Sequence, residues 1–91
     1  MDIQSRYNSL LNEAKAMFFF FNASSDKLSL AFKSFNVLYA STEHVSTEEF
    51  EVVLNSIEAE IEDICIANKI SQEKLEELTE NNFSFKNVSI N

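Results

Sequence analysis

The chain contains neither glycine nor proline anywhere in its 91 residues. Tight β-hairpin turns usually need glycine, Asn-Gly or proline, because those residues adopt the required backbone angles with little strain. Helices joined by short polar loops have no such requirement. The sequence therefore favours an all-α fold. Its hydrophobic fraction of 45%, which includes nine phenylalanines, provides enough apolar area for one core.

Apolar residues recur every three or four positions in the first part of the chain, which is the spacing of one helix face. A first helix is predicted from about Asp2, which can cap it, to Phe21. Ser25 or Asp26 can cap a second helix that ends around 40–43. The predicted core face of the first helix comprises Ile3, Tyr7, Leu10, Leu11, Ala14, Met17, Phe18 and Phe21. That of the second comprises Leu28, Ala31, Phe32, Phe35, Leu38 and Tyr39.

The clearest helix start is at Ser46, where Ser-Thr-Glu-Glu fits a capping box with Glu49. The pattern of this third helix breaks at 68–70, and Ser71 can then cap a short fourth helix. The predicted core residues of the third and fourth helices are Phe50, Val53, Leu54, Ile57, Ile61, Ile64, Cys65, Leu75 and Leu78. Because the loops are short, we predict an antiparallel four-helix bundle over residues 1–82, followed by a partly extended C-terminal tail over residues 83–91.

The negative charge is concentrated in the second half of the chain. Of the net charge of −8, residues 43–80 contribute twelve acidic side chains against two lysines. Such a surface repels phosphates, so direct binding to nucleic acid is not expected. On the third helix, Glu51, Glu58 and Glu62 share the side opposite the core face. Two interpretations remain open: a solvated face that keeps the protein soluble, or a docking face for a basic partner.

The chemically reactive residues do not form a recognisable catalytic pattern. The single histidine, His44, lies in a predicted loop, and the single cysteine, Cys65, lies on a core stripe, where it is expected to be a small buried hydrophobic residue. A phosphate-binding loop and a calcium loop both need glycine. We therefore predict no catalytic, cofactor or metal site, and a protein that is not an enzyme.

The sequence also gives an expectation for location. A lone cysteine fits a reducing compartment, and the first residues lack the basic and apolar regions of a secretory signal. The longest apolar run, residues 16–21, is much shorter than the roughly 20 residues that cross a bilayer. A cytoplasmic protein without membrane insertion is predicted.

Two apolar segments suggest contacts with partners. On a helix, the consecutive residues Phe18–Phe21 point in four directions, so Phe19 or Phe20 should be partly exposed. Either the small bundle covers them, or they form a patch for a partner or for a homodimer. The tail from Phe83 either folds back on the core or becomes ordered when it binds a partner.

Helix three and the following turn carry a short pattern: Asn55, then Ile57, then Ile61, then Asn68-Lys69-Ile70. In this pattern the chain resembles the immunity proteins of pediocin-like (class IIa) bacteriocins, such as those for enterocin A and leucocin A, over about residues 28–78. The resemblance implies a cytosolic four-helix bundle that protects the producer cell. It would do so by contact with the bacteriocin-bound mannose phosphotransferase permease, at the inner face of the membrane.

Specificity in that family is assigned to the C-terminal half, which corresponds here to Ile70–Leu78 and the tail. The candidate partner-binding residues that this implies are Lys74, Phe83, Phe85, Lys86, Val88 and Ile90. The acidic composition supports an alternative, a small phage-type or regulatory inhibitor that occupies a basic site on a host protein. Its candidate residues are Glu51, Glu58 and Glu62.

Overall fold

A computed structural model describes residues 2–41 and 44–80, and helices make up most of both segments. The four helices are α1 (Ile3–Phe21), α2 (Asp26–Tyr39), α3 (Thr47–Ala67) and α4 (Gln72–Glu80). No strand occurs within the two described segments. The predicted all-α fold with four helices is confirmed. The predicted end of the bundle at 81–82 and the predicted tail at 83–91 lie outside the described residues.

Each helix begins at the polar residue that the sequence indicated. Side-chain oxygens of Asp2, Ser25, Ser46 and Ser71 accept a hydrogen bond from the amide three residues later, at distances between 2.7 and 3.3 Å. These bonds satisfy amides that the first helical turn leaves without a partner. At the start of α2, Ser25 rather than Asp26 is the capping residue.

Two helices end in a left-handed residue although the chain has no glycine. Asn22 after α1 has φ of 54° and Lys69 after α3 has φ of 56°. Around Lys69, the amide of Ile70 donates to the carbonyl of Cys65 at 2.8 Å, and the amide of Lys69 donates to that of Ile66 at 3.3 Å. This is a Schellman motif, which glycine usually forms. A lysine pays about 1–2 kcal/mol for the left-handed conformation.

The helices alternate in direction, as the short loops predicted. Tyr7 in the first half of α1 stacks on Phe35 in the second half of α2, with ring centroids 4.1 Å apart. Tyr39 at the end of α2 contacts Phe50 at the start of α3. Along its length α3 packs against α1 and α2, while α4 packs against α1.

Of the 23 residues predicted for the core, eleven are buried and seven more are partly buried against them, and Ala16, Ala23 and Ile70 also join the core. The buried residues are Tyr7, Leu10, Ala16, Met17, Ala23, Leu28, Phe35, Leu54, Ile57, Ile61, Ile64, Cys65, Ile70 and Leu75. Tyr39 was predicted to be buried but is exposed, since its ring lies at the end of α2 and only one side of it rests on Phe35 and Phe50.

The prediction that Phe18 and Phe21 belong to the core face of α1 is wrong. Both are exposed, at 51% and 38% of their surface. The Sγ atom of Cys65 lies 3.6 Å from Sδ of Met17 on α1. Cys65 is only two residues from the end of α3, whereas α1 continues for four residues after Met17. The last turn of α1 therefore extends beyond the end of α3, where less of the bundle is available to cover it.

Candidate partner-binding surfaces

Of the residues proposed from the family resemblance, the described structure contains Lys74. It is exposed in the first half of α4, and its amide donates to Ser71 Oγ at 3.3 Å. Because Leu75 beside it is almost fully buried, α4 is held on the bundle with Lys74 facing solvent. The other candidates lie outside the described residues: Phe83, Phe85, Lys86, Val88 and Ile90.

The alternative candidates, Glu51, Glu58 and Glu62, are all exposed on α3. Glu58 is not available in the same way as the other two. Its Oε2 atom lies 3.3 Å from the guanidinium of Arg6 on α1, and this pair is partly exposed to solvent. Glu51 and Glu62 are therefore the better candidates for contact with a basic partner.

Arg6 is a residue whose role the sequence did not reveal. Its Nη2 atom donates to Asn55 Oδ1 at 2.7 Å and to Glu58 at 3.3 Å, so one guanidinium joins α1 to two consecutive turns of α3. Asn55 belongs to the short sequence pattern from which the family resemblance was predicted. In this structure it supports the packing of α3 on α1. The signal in the sequence was that Arg6 is the chain's lone arginine. Its partners lie 49 and 52 positions further along the chain, so they can be identified only once the fold is known.

A second acidic site lies in a groove of about 340 Å³ between α1 and α4. Its lining residues are Ser9, Asn12, Glu13, Glu76 and Thr79. Glu13 is half-buried, and burial raises the pKa of its carboxyl, with the negative charges of Glu76 and Glu58 raising it further. The groove thus concentrates negative charge beside a carboxyl that is poorly solvated, which favours a cationic group over an anionic one.

An apolar depression of about 410 Å³ lies between α2 and α3. Its lining residues are Leu30, Lys33, Ser34, Val37, Leu38 and Val53. Leu30 and Val37 are highly exposed, at 61% and 65% of their surface. This depression is shallow and carries a lysine, so its charge is opposite to that of the groove beside Glu13.

The four consecutive phenylalanines, Phe18–Phe21, are each between 38% and 51% exposed. The expectation that Phe19 or Phe20 would be partly exposed is confirmed. Their two rings pack edge to face, with centroids 5.1 Å apart. They form an apolar surface at the end of α1, next to the left-handed residue Asn22.

The cysteine and the histidine are far apart. Cys65 is buried, and burial raises the pKa of its thiol, as do the charges of Glu13 and Glu62. His44 is exposed and precedes α3, whereas Cys65 lies near the other end of that helix. Cys65 lies 18 positions after Thr47 along the helix, a rise of about 27 Å. A raised thiol pKa disfavours the thiolate that nucleophilic attack needs.

Within residues 2–41 and 44–80, no group of three or more histidine, cysteine or acidic side chains is placed to hold a metal ion. None of the helices there has the length and apolar character needed to cross a bilayer. In comparisons with known proteins, no family model, curated protein or solved structure matches this chain.

Proposed function

We propose that the chain is an immunity protein that protects its producer from a pediocin-like bacteriocin, and that it acts by binding rather than by catalysis. The observation that supports this proposal is the structural position of the shared pattern. Ile57 and Ile61 are buried, and Asn68, Lys69 and Ile70 form the turn that ends α3. The side chain of Asn68 also donates to the carbonyl of Ile64 at 2.9 Å.

The same turn connects this pattern to the proposed contact surface. Ile70 is buried after the turn and Leu75 is buried on α4, so the turn fixes the direction in which α4 leaves. With α4 held in this way, Lys74 lies on the exposed side. We propose that this side of α4, together with the segment from Phe83 to Ile90, contacts the bacteriocin-bound mannose phosphotransferase permease at the inner face of the membrane.

Expression in a bacteriocin-sensitive strain tests this function. Cells that carry the chain should survive at least one member of a panel of pediocin-like peptides better than cells with an empty vector. Lys74→Glu should reduce this protection, because it reverses an exposed charge on the proposed surface. Lys27→Glu, at an exposed lysine of α2, is the matched control and should retain it. Unchanged killing by every peptide of the panel would count against the proposal.

A second candidate function is that of an acidic inhibitor that occupies a basic site on a host protein. The observation that favours it is the composition of α3, which carries seven acidic residues and no lysine or arginine between Thr47 and Ala67. Glu51 and Glu62 are exposed there. Capture of partners from the source cell, with its membrane fraction included, should yield a complex that weakens as salt increases.

Charge reversal distinguishes specific binding through α3 from nonspecific electrostatic binding. Glu51→Lys with Glu62→Lys should weaken the captured complex, whereas Glu73→Lys with Glu77→Lys, at exposed acids of α4, should have a smaller effect. Glu58 is left unchanged because its reversal would also disturb Arg6. A complex that tolerates the first pair as well as the second would exclude the α3 face as the contact.

Self-association through Phe18–Phe21 is a third proposal, supported by the exposed apolar surface at the end of α1. Sedimentation at increasing protein concentration tests it. A dimer that Phe18→Ser weakens would support the proposal, and a monomer at the highest concentration would remove it.

A further inference from the structure

The outward side of α3 carries apolar residues that do not join the core. Val52 and Ile66 expose 65% and 70% of their surface, and Ala59 between them is also exposed. The three are seven residues apart, so they follow one side of the helix with a drift of about 20° per step. Val52 and Ile66 are about 21 Å apart along the axis. We call Val52, Ala59 and Ile66 the outer stripe.

Acidic side chains border the outer stripe on both sides. At about 100° per residue, Glu51 and Glu62 lie to one side of it, and Glu49 and Glu60 lie to the other. The guanidinium of Arg6 is engaged with Glu58, which projects further round the helix toward α1. Glu48 and Asp63 lie on the same side as the stripe itself. The stripe is thus a row of separated apolar residues within a negative surface.

We infer that the outer stripe docks a cationic amphipathic helix of a partner protein. The inference rests on the second function proposed above, that of an acidic binder, and gives the chemistry of its partner. Aliphatic side chains at seven-residue spacing on the partner would meet Val52 and Ile66. Lysine or arginine beside them would meet the bordering glutamates, as at the flanking positions of coiled coils. A crossing angle of about 20° would follow the drift of the stripe.

The charge pattern selects this occupant over a second copy of the chain. Two outer stripes in contact would bring Glu51 and Glu62 of both copies close together, and like charges facing each other across an interface oppose association. A cationic helix replaces that repulsion with attraction. It also hides two exposed aliphatic side chains from water.

The outer side of α2 offers an internal comparison. Leu30 and Val37 are also exposed and also seven residues apart. Their charged neighbours on that helix are Lys27, Lys33 and Asp26, so the apolar spacing is similar while the net local charge is positive instead of negative. A cationic helix should therefore prefer α3 to α2.

Synthetic peptides provide the test with the intact chain. One labelled helical peptide has leucine at every seventh position and lysine beside each leucine, and a second has the same composition with the leucines dispersed round the helix. Fluorescence anisotropy should show binding of the patterned peptide that is at least about tenfold tighter than that of the dispersed one, because only the patterned peptide buries its leucines on the stripe.

Matched variants assign the contact. Val52→Ala with Ile66→Ala should weaken binding of the patterned peptide by about tenfold or more, since both contacts are lost. Leu30→Ala with Val37→Ala should leave it within about twofold of the unchanged chain. All four sites are exposed and alanine favours helix, so circular dichroism should show the same helix content in every variant.

Several outcomes would overturn the inference. Equal binding of the two peptides, or equal effects of the two alanine pairs, would show that charge acts without the stripe. The acidic-binder function would then still stand if Glu51→Lys with Glu62→Lys weakened binding, and would fail with the inference if that pair had no effect. Absence of binding by the patterned peptide, or a homodimer that Val52→Ala with Ile66→Ala disrupts, would also overturn it.

Discussion

The inner and outer sides of α3 are built from similar aliphatic residues but differ completely in exposure. Leu54 and Ile57 on the inner side have no exposed surface, whereas Val52 and Ile66 on the outer side are mostly exposed. Inner residues recur every three or four positions and form a continuous face against α1 and α2. Outer residues recur every seven and have acidic neighbours between them. Spacing and neighbours, rather than residue type, therefore determine which side of this helix enters the core.

The largest effect on stability is expected from a substitution on the inner side of α3. Leu54→Ala should lower the free energy of unfolding by about 2–5 kcal/mol, because it removes buried methyl groups and leaves a cavity. Val52→Ala should change it by no more than about 0.5 kcal/mol, because its side chain is exposed. Urea denaturation followed by circular dichroism measures both. Equal losses from the two substitutions would show that the outer side also contributes to the core.

A smaller effect on stability is expected from a substitution at the end of α3, which the inner and outer sides of the helix share. Lys69→Gly should stabilise the fold by up to about 1 kcal/mol, because relief of about 1–2 kcal/mol of left-handed strain exceeds the entropic cost of glycine, about 0.5–1 kcal/mol. Ala67→Gly, two residues earlier within the helix, is the control and should destabilise by about 1 kcal/mol. A loss of stability from Lys69→Gly would contradict the left-handed geometry.

At the border between the two sides, Arg6 ties α3 to α1. Arg6→Met keeps the apolar stem and removes the bonds to Asn55 and Glu58. Because the pair is partly exposed, the loss should be at most about 1 kcal/mol and should shrink as salt increases. Lys27→Met at an exposed site on α2 should show neither the loss nor its salt dependence. A loss that is independent of salt would indicate packing of the stem instead.

The parts of this fold that local chemistry determines could be predicted from the sequence. The caps at Ser46 and Ser71 depend on residues within one turn, and the inner side of α3 depends on a regular spacing. The last turn of α1 could not be predicted, since the exposure of Phe18 depends on where α3 ends. The same applies to Arg6, whose partners are separated from it by most of the chain.

The candidate sites divide in a similar way. The acidic side chains of α3 were recognised because they are dense in the sequence, and three of them share a side of one helix. The outer stripe was not recognised: Val52 and Ile66 lie off the predicted core face, but how far each is exposed depends on how the helix packs. Glu13 was missed for a related reason. Its surroundings come from α3 and α4, and the sequence of α1 alone does not show them.

The smallest expected effect concerns this acid, which is the half-buried counterpart of the exposed glutamates on α3. Burial, together with Glu76 and Glu58, raises the pKa of Glu13 in the folded chain above its unfolded value. Its contribution to stability is therefore fully present below the unfolded pKa and is lost as the pH rises through the folded pKa. At neutral pH the fold carries a poorly solvated charge that a neutral side chain would avoid.

Glu13→Gln should consequently raise the free energy of unfolding near neutral pH, and the gain should diminish as the pH falls to about 4, where the carboxyl is largely protonated. Urea denaturation at a series of pH values measures this. Glu77→Gln, at an exposed acid of α4, should give no comparable gain. A gain from Glu13→Gln that is the same at both ends of the series would have to come from packing or helix propensity. In that case the buried charge would not be what separates Glu13 from the glutamates of the outer side.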